Sequence, residues 1–221
     1  MRFKLRILLS RIYHLFDRHP GHKYGDGIYI YFYNKIRCKV SAGKGSYADL
    51  ISVMANKNQT LRIGKYVSIG RRLNIIMCGG HNLRVISTYP FKDKISYTPF
   101  FKKELREPAY ELGDVTIGND VWIGDDVTIM GGGEIGDGAV IGTKSLVTSN
   151  QKLKEYGVYA GIPAKFLYYR FSPGIIKELK KLKWWDMKEE IIKNKNYLLY
   201  NPNIKSALSE LKKLKKRNDG A

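Results

Sequence analysis

Val115-Thr116-Ile117-Gly118-Asn119-Asp120-Val121-Trp122-Ile123-Gly124 opens a run that continues in the same pattern to Val147. Across it a branched apolar residue stands at every sixth position: Ile117, Ile123, Ile129, Ile135, Ile141 and Val147. A second apolar or small series lies two residues before each anchor, at Val115, Val121, Val127, Gly133, Ala139 and Ser145. Gly118, Gly124, Gly136 and Gly142 directly follow four of the anchors. No helix has this period. A six-residue repeat is that of a parallel β-helix, in which each hexad supplies a short strand and a turn, and three hexads close one triangular coil. The anchors are expected to point inward, with glycine where the backbone must bend at little steric cost. Ordinary alternating strands with glycine turns would have to reach this spacing six times by accident.

The same pattern occurs upstream from Leu61, with anchors Ile63, Ile69 and Ile75, and Val40 to Ala48 reads as an imperfect first coil. Three regions are expected: 1–39, an amphipathic helix and an extended segment; 40–165, the β-helix, interrupted at about 77–112; and 166–221, helical. In the first, Leu5, Leu8, Leu9, Ile12, Leu15 and Phe16 share one side of a helix and Lys4, Arg11 and Arg18 the other. Arg6 and Arg11 make that run too short to span a membrane and a poor signal sequence. It either packs on protein or lies on an anionic leaflet, which places the protein in the cytoplasm or at the inner membrane surface. After Val147 the coils are expected to end and Gly157 to Pro163 to turn the chain. Helical spacing then covers Ile175 to Asn196 and Ile204 to Lys216.

The chain has 221 residues, 43% of them hydrophobic, so disorder over most of its length is excluded. Its two cysteines, Cys38 and Cys78, are too few for a disulfide framework and lack metal-ligand spacing, in keeping with a reducing compartment. With 39 basic against 20 acidic residues the net charge is +19, which attracts polyanions. The lysines are scattered and no nucleic-acid-binding motif accompanies them, so no specific nucleic-acid partner is expected.

A long excursion from a regular solenoid is where a site is expected. It contains Gly79-Gly80-His81, Ser87-Thr88-Tyr89-Pro90-Phe91 and Tyr97-Thr98-Pro99-Phe100-Phe101-Lys102-Lys103. His14, His19 and His22 lie in the N-terminal segment, which leaves His81 at the junction of coil and loop. Glycine lets a ligand approach the backbone closely, and imidazole is the side chain suited to accepting a proton near neutral pH. His81 is therefore the candidate general base.

Five separated motifs occur in order: His81 followed by Ser87-Thr88-Tyr89-Pro90-Phe91; Gly118-Asn119-Asp120-Val121-Trp122-Ile123-Gly124; Ala160-Gly161-Ile162-Pro163-Ala164-Lys165; Arg170-Phe171; and Trp184-Trp185-Asp186. Over about residues 40 to 190 the chain thereby resembles the hexapeptide-repeat xenobiotic acetyltransferases, which include chloramphenicol and streptogramin acetyltransferases and relatives that acetylate cell-surface sugars. The resemblance implies a mainly β fold, a left-handed parallel β-helix, assembled as a homotrimer with active sites between subunits. It implies acetyl-CoA as co-substrate, no metal, and direct transfer to a hydroxyl that His81 deprotonates. Trp122 would lie at the reactive end of the pantetheine arm, Gly142, Thr143 and Ala160 along it, and Lys165 and Arg170 at the phosphates. Arg84, Tyr47 and Ser87 are the acceptor-side candidates. Backbone N–H groups at Gly131 to Gly133 are available for the oxyanion.

The chain departs from the family where it has Arg84 and Val85 in place of an acidic and an aromatic residue after the histidine. An arginine there would disfavour the protonated base and suit an anionic acceptor. The expected acceptor is a sugar hydroxyl of a surface polysaccharide or its precursor. The alternatives are an antibiotic hydroxyl, an amino sugar, and a non-catalytic trimeric scaffold that binds polyanions or membrane. A zinc carbonic anhydrase is disfavoured, since that site needs three imidazoles and the repeats carry only His81.

Overall fold

The computed structural model describes residues 22–24, 26–32, 37–81, 83–89 and 110–219. The expected helix over 1–18 and the aromatic segment 97–103 lie outside them.

Strands succeed one another around three faces of a prism. After β1 (His22–Tyr24) and β2 (Ile28–Phe32), the first complete coil is β3 (Lys39–Ala42), β4 (Tyr47–Ala48) and β5 (Ile51–Met54). The second is β6 (Thr60–Ile63), β7 (Ser68–Ile69) and β8 (Leu73–Ile76). The chain then leaves through β9 (Cys78–Gly80) and returns through β10 (Tyr110–Glu111). The third coil is β11 (Val115–Ile117), β12 (Trp122–Ile123) and β13 (Thr128–Met130), and the fourth β14 (Glu134–Ile135), β15 (Val140–Ile141) and β16 (Leu146–Val147). A further partial coil, β17 (Lys152–Leu153) and β18 (Gly157–Ala160), extends the solenoid past Val147, its expected end. Leu153 and Tyr159 keep the six-residue spacing and are buried, so the repeat simply continues with an aromatic anchor.

Face 1 stacks β3, β6, β11, β14 and β17; face 2 stacks β4, β7, β12, β15 and β18; face 3 stacks β2, β5, β8, β13 and β16. Stacked strands are parallel and in register, as in Ile117 with Ile135 and Ile123 with Ile141. Strand β19 (Lys165–Tyr169) turns back antiparallel on β18, and β1 does the same on β2. Both hexad series point inward: all six anchors and Val115, Val121, Val127, Ala139 and Ser145 are buried. At about 25 cal/mol per Å² of apolar surface removed from water, this column of branched side chains is the dominant stabilising feature.

The glycines after the anchors serve a different purpose from the one expected. A Cβ on Gly124 would stand 2.6 Å from the backbone nitrogen of Thr143 in the next coil. Close stacking therefore excludes a side chain there. The bends fall two residues later, in left-handed conformation, at Asp120, Asp126, Gly132, Gly138, Lys144, Asn150 and Tyr156, with φ between 55° and 78°. Asp and Asn tolerate that region; for Lys and Tyr it is imposed by the pairing on both sides.

Beyond β19 come α1 (Pro173–Leu182), a 3-10 turn (Trp184–Asp186), α2 (Glu189–Lys195), a second 3-10 turn (Asn196–Leu198) and α3 (Ile204–Asp219). The helix expected over Ile175 to Asn196 is thus broken, at a left-handed Lys183 (φ 44°). The break lets Trp184 pack on Tyr66, ring centroids 4.8 Å apart, while Asp186 pairs with Lys65 at 2.9 Å and Glu189 with Lys44. Tyr66 and Lys65 sit on the second coil and Lys44 on the first, so the C-terminal module runs back along the edge between faces 1 and 2 as a strap. Leu182, Met187, Leu198, Leu208 and Leu211 form its own small core.

Candidate active site

The three edges of the prism carry different equipment. At the edge between faces 3 and 1 the loop leaves and returns as an antiparallel pair, Cys78 opposite Glu111 and Gly80 opposite Tyr110. Gly79, at φ 101°, makes the outward turn. Buried Gln59 ties both ends of the excursion to the solenoid: its Nε2 donates to the Met77 carbonyl at 2.7 Å and to the Gly113 carbonyl at 3.2 Å. Sequence pattern gave no sign of Gln59, because a lone polar residue between hexads looks like a turn. Gln59→Leu leaves these carbonyls without their side-chain donor, an expected loss of about 1–3 kcal/mol in urea unfolding. Protease susceptibility of the loop should rise with it.

His81 is the first residue past β9 and is exposed, with Nδ1 2.7 Å from the Thr88 carbonyl oxygen. A carbonyl can only accept, so in the neutral ring Nδ1 carries the hydrogen and Nε2 keeps a lone pair. Thr88 belongs to the Ser87-Thr88-Tyr89 motif, which here closes a turn back onto the imidazole; Ser87 Oγ in turn accepts the Tyr89 N–H at 3.2 Å. Arg84 lies within this turn, exposed beside the exposed Leu83, Val85 and Ile86. The turn thus presents a proton acceptor, a cation and an apolar rim.

Trp122 stands on face 2, 59% exposed. It pairs across β7 through Ser68, which also pairs with Tyr47, so Tyr47 and Trp122 share this face two rungs, or about 10 Å, apart. Gly142, Thr143 and Ala160 gather at the edge between faces 2 and 3. A Cβ on Gly142 would meet that of Ala160 at 3.0 Å, and Ala160 pairs with Lys165. Small residues keep this edge low, leaving Thr143 and Lys165 exposed beside it.

Two groups named from the sequence stand apart from this edge. Arg170 is not grouped with Lys165. It lies at the opposite end of β19, on the edge between faces 1 and 2, where its guanidinium donates to the Gly138 carbonyl at 2.8 Å, reaches Asp120 at 3.5 Å, and covers the Tyr156 and Phe171 rings. The N–H groups of Gly131, Gly132 and Gly133 are not available for an oxyanion either, because they already donate to the carbonyls of Ile76, Asp114 and Met130.

Around Arg170, burial pushes the Asp120 carboxyl above its ordinary range, with Arg170 opposing the shift, and burial raises the Tyr156 phenol. A carboxyl whose folded pKa is raised loses stability as pH climbs through the carboxylate range. Asp120→Asn, which also suits the left-handed backbone, should therefore raise the unfolding midpoint at neutral pH. That gain should vanish below the carboxylate range, and a gain equal at both pH values would contradict the titration argument.

Residues 114–149 match the family described as "Bacterial transferase hexapeptide (six repeats)". The chloramphenicol acetyltransferase of Agrobacterium fabrum is 40% identical over 154 residues, covering 65% of this chain and 68% of that protein. The chain belongs to the hexapeptide-repeat acetyltransferases. A probable macrolide acetyltransferase of Lysinibacillus sphaericus is 38% identical over 161 residues, 69% of this chain and 84% of that one. Among solved structures, a hexapeptide-repeat-containing acetyltransferase from Vibrio cholerae superposes with a TM-score of 0.46 at 19% identity, over 74% of this chain and 81% of that one. As a member of this family the protein is an acyltransferase. Among the described residues no group of three His, Cys, Asp or Glu is placed to hold a metal ion.

Proposed function

We infer that the protein transfers an acetyl group from acetyl-CoA to a sugar hydroxyl of a surface polysaccharide or its precursor, with His81 as general base. The observation that carries this reading is the Nδ1 contact to the Thr88 carbonyl, which leaves Nε2 as a proton acceptor on an exposed turn. Nε2 takes the acceptor hydroxyl proton as its oxygen attacks the thioester carbonyl. The tetrahedral intermediate then expels CoA by breaking the C–S bond, the departing sulfur takes up the proton, and an acetyl ester remains. General-base help contributes about 10²–10⁴ in rate, and holding both reactants in one cleft removes much of the encounter entropy.

On this reading Trp122 lies against the thioester end, Gly142, Thr143 and Ala160 flank the pantetheine arm, and Lys165 meets a CoA phosphate. Arg170 acts as a strut. In a triangular prism the edge bearing His81 lies opposite face 2, which bears Trp122. A homotrimer, in which the loop of one copy approaches the cofactor edge of the next, would unite them. Arg84, Ser87 and Tyr47 would meet the acceptor, Arg84 through an anionic group.

A drug hydroxyl is the second reading, supported by the names of the curated relatives, chloramphenicol and macrolide acetyltransferases. Release of free CoA across a panel of neutral sugars, uronic acids, amino sugars, chloramphenicol and macrolides separates them. Turnover with sugars alone supports the first reading, and turnover with chloramphenicol or a macrolide alone replaces it. Among the described residues no helix is long and apolar enough to cross a membrane.

A further inference from the structure

Where the last coil meets α1, a groove of about 500 Å³ opens on the outside of the molecule. Pro173, Ile176, Lys177, Lys180 and Lys181 form one wall, at the i, i+3, i+4, i+7 and i+8 positions that share a helix face. Lys154 and Tyr169 form the other. Its one carboxylate, Glu155, is neutralised by Lys180 at 2.8 Å. Among the described residues no carboxylate lies within ion-pair distance of Lys154, Lys177 or Lys181. Lys154, Lys177 and Lys181 thus line the groove together with an apolar floor of Ile176, Pro173 and the Tyr169 ring. From that floor β19 continues as a strand exposed at every residue, with Phe166 at 46%, Leu167 at 55% and Tyr168 at 60%.

Cations around an apolar floor, continued by exposed aromatic surface, match an anionic head attached to an apolar chain. We propose that this groove binds the phosphate headgroup of an anionic lipid, with Lys154, Lys177 and Lys181 around the phosphate and the exposed face of β19 against the lipid's apolar part. A polynucleotide instead follows an extended basic stripe, whereas these lysines close on a single pocket. The groove lies at the end of β19 away from Lys165, so it is separate from the edge assigned to acetyl-CoA. The proposal does not depend on the acyl acceptor.

The test uses the whole protein, vesicles of phosphatidylcholine with and without phosphatidylglycerol, and short-chain phosphatidic acid titrated by calorimetry. A basic residue at an anionic surface is worth about fivefold in affinity, so the triple change Lys154→Gln, Lys177→Gln and Lys181→Gln should weaken binding on the order of a hundredfold. A control triple of exposed lysines elsewhere, Lys188→Gln, Lys205→Gln and Lys216→Gln, should weaken vesicle binding far less and leave phosphatidic acid binding intact. Unchanged urea midpoints and CoA release show that the variants are folded. Equal losses in both triples would mean diffuse charge and overturn the site. So would inorganic phosphate binding as tightly as the lipid, an oligonucleotide competing at the groove, or no saturable binding by wild type.

Discussion

His81→Ala is expected to lower kcat by about 10²- to 10⁴-fold, the usual worth of a positioned general base. Its affinity for acetyl-CoA, measured by calorimetry, should stay close to wild type, because the proposed cofactor residues sit at another edge of the prism. The turn from Leu83 to Tyr89 is anchored partly by the imidazole contact with Thr88. His81→Asn, whose amide can still donate to that carbonyl, separates ordering from chemistry. If Asn restores the rate, the histidine orders the turn and proton abstraction belongs to another group. If both variants lose the rate alike with unchanged KM for acetyl-CoA, the base assignment stands.

Ile129→Ala should cost about 2–5 kcal/mol of stability, the range for emptying a close-packed apolar site. Ile129 is fully buried and stacks between Ile75 in the coil before and Val147 in the coil after. Its Cγ2 packs closely on Gly133, where an added Cβ would stand 3.0 Å away. A solenoid is held by nearest-neighbour contacts, so the damage should be confined to the flanking coils. Hydrogen exchange should show β8, β13 and β16 losing protection before β3 to β5. A loss under about 1 kcal/mol, with uniform exchange, would mean that the column relaxes around the cavity.

The coils were legible because an inward anchor leaves a mark at a fixed period: Ile117 to Val147 could be read without any partner in view. The end of the solenoid was not, since Leu153 and Tyr159 keep the period but change residue type. The role of the glycines is ambiguous in the sequence for a related reason. Glycine permits both a left-handed bend and a close approach, and only the distance to the next coil distinguishes them. His81 and the Ser87-Thr88-Tyr89 motif were visible as separate pieces; their hydrogen bond depends on a turn that local sequence does not encode. Arg170 illustrates the converse. Its charge suggested a phosphate, whereas Gly138, Asp120 and Tyr156, remote in sequence, decide where the guanidinium goes. Gln59 left no trace because its partners, Met77 and Gly113, are brought together only when the coil closes around the excursion.

Ile63 and Ile117 are direct neighbours on successive rungs, although the whole excursion lies between them in the chain. The stack therefore does not sense how much polypeptide passes between β8 and β11, only where it departs and re-enters. Loop-closure entropy rises only with the logarithm of length, so residues can be added or removed there at small expense to the scaffold. The segment is consequently an exchangeable cassette: evolution or an engineer can replace what the turn around Arg84 recognises while inheriting the remaining two edges unaltered.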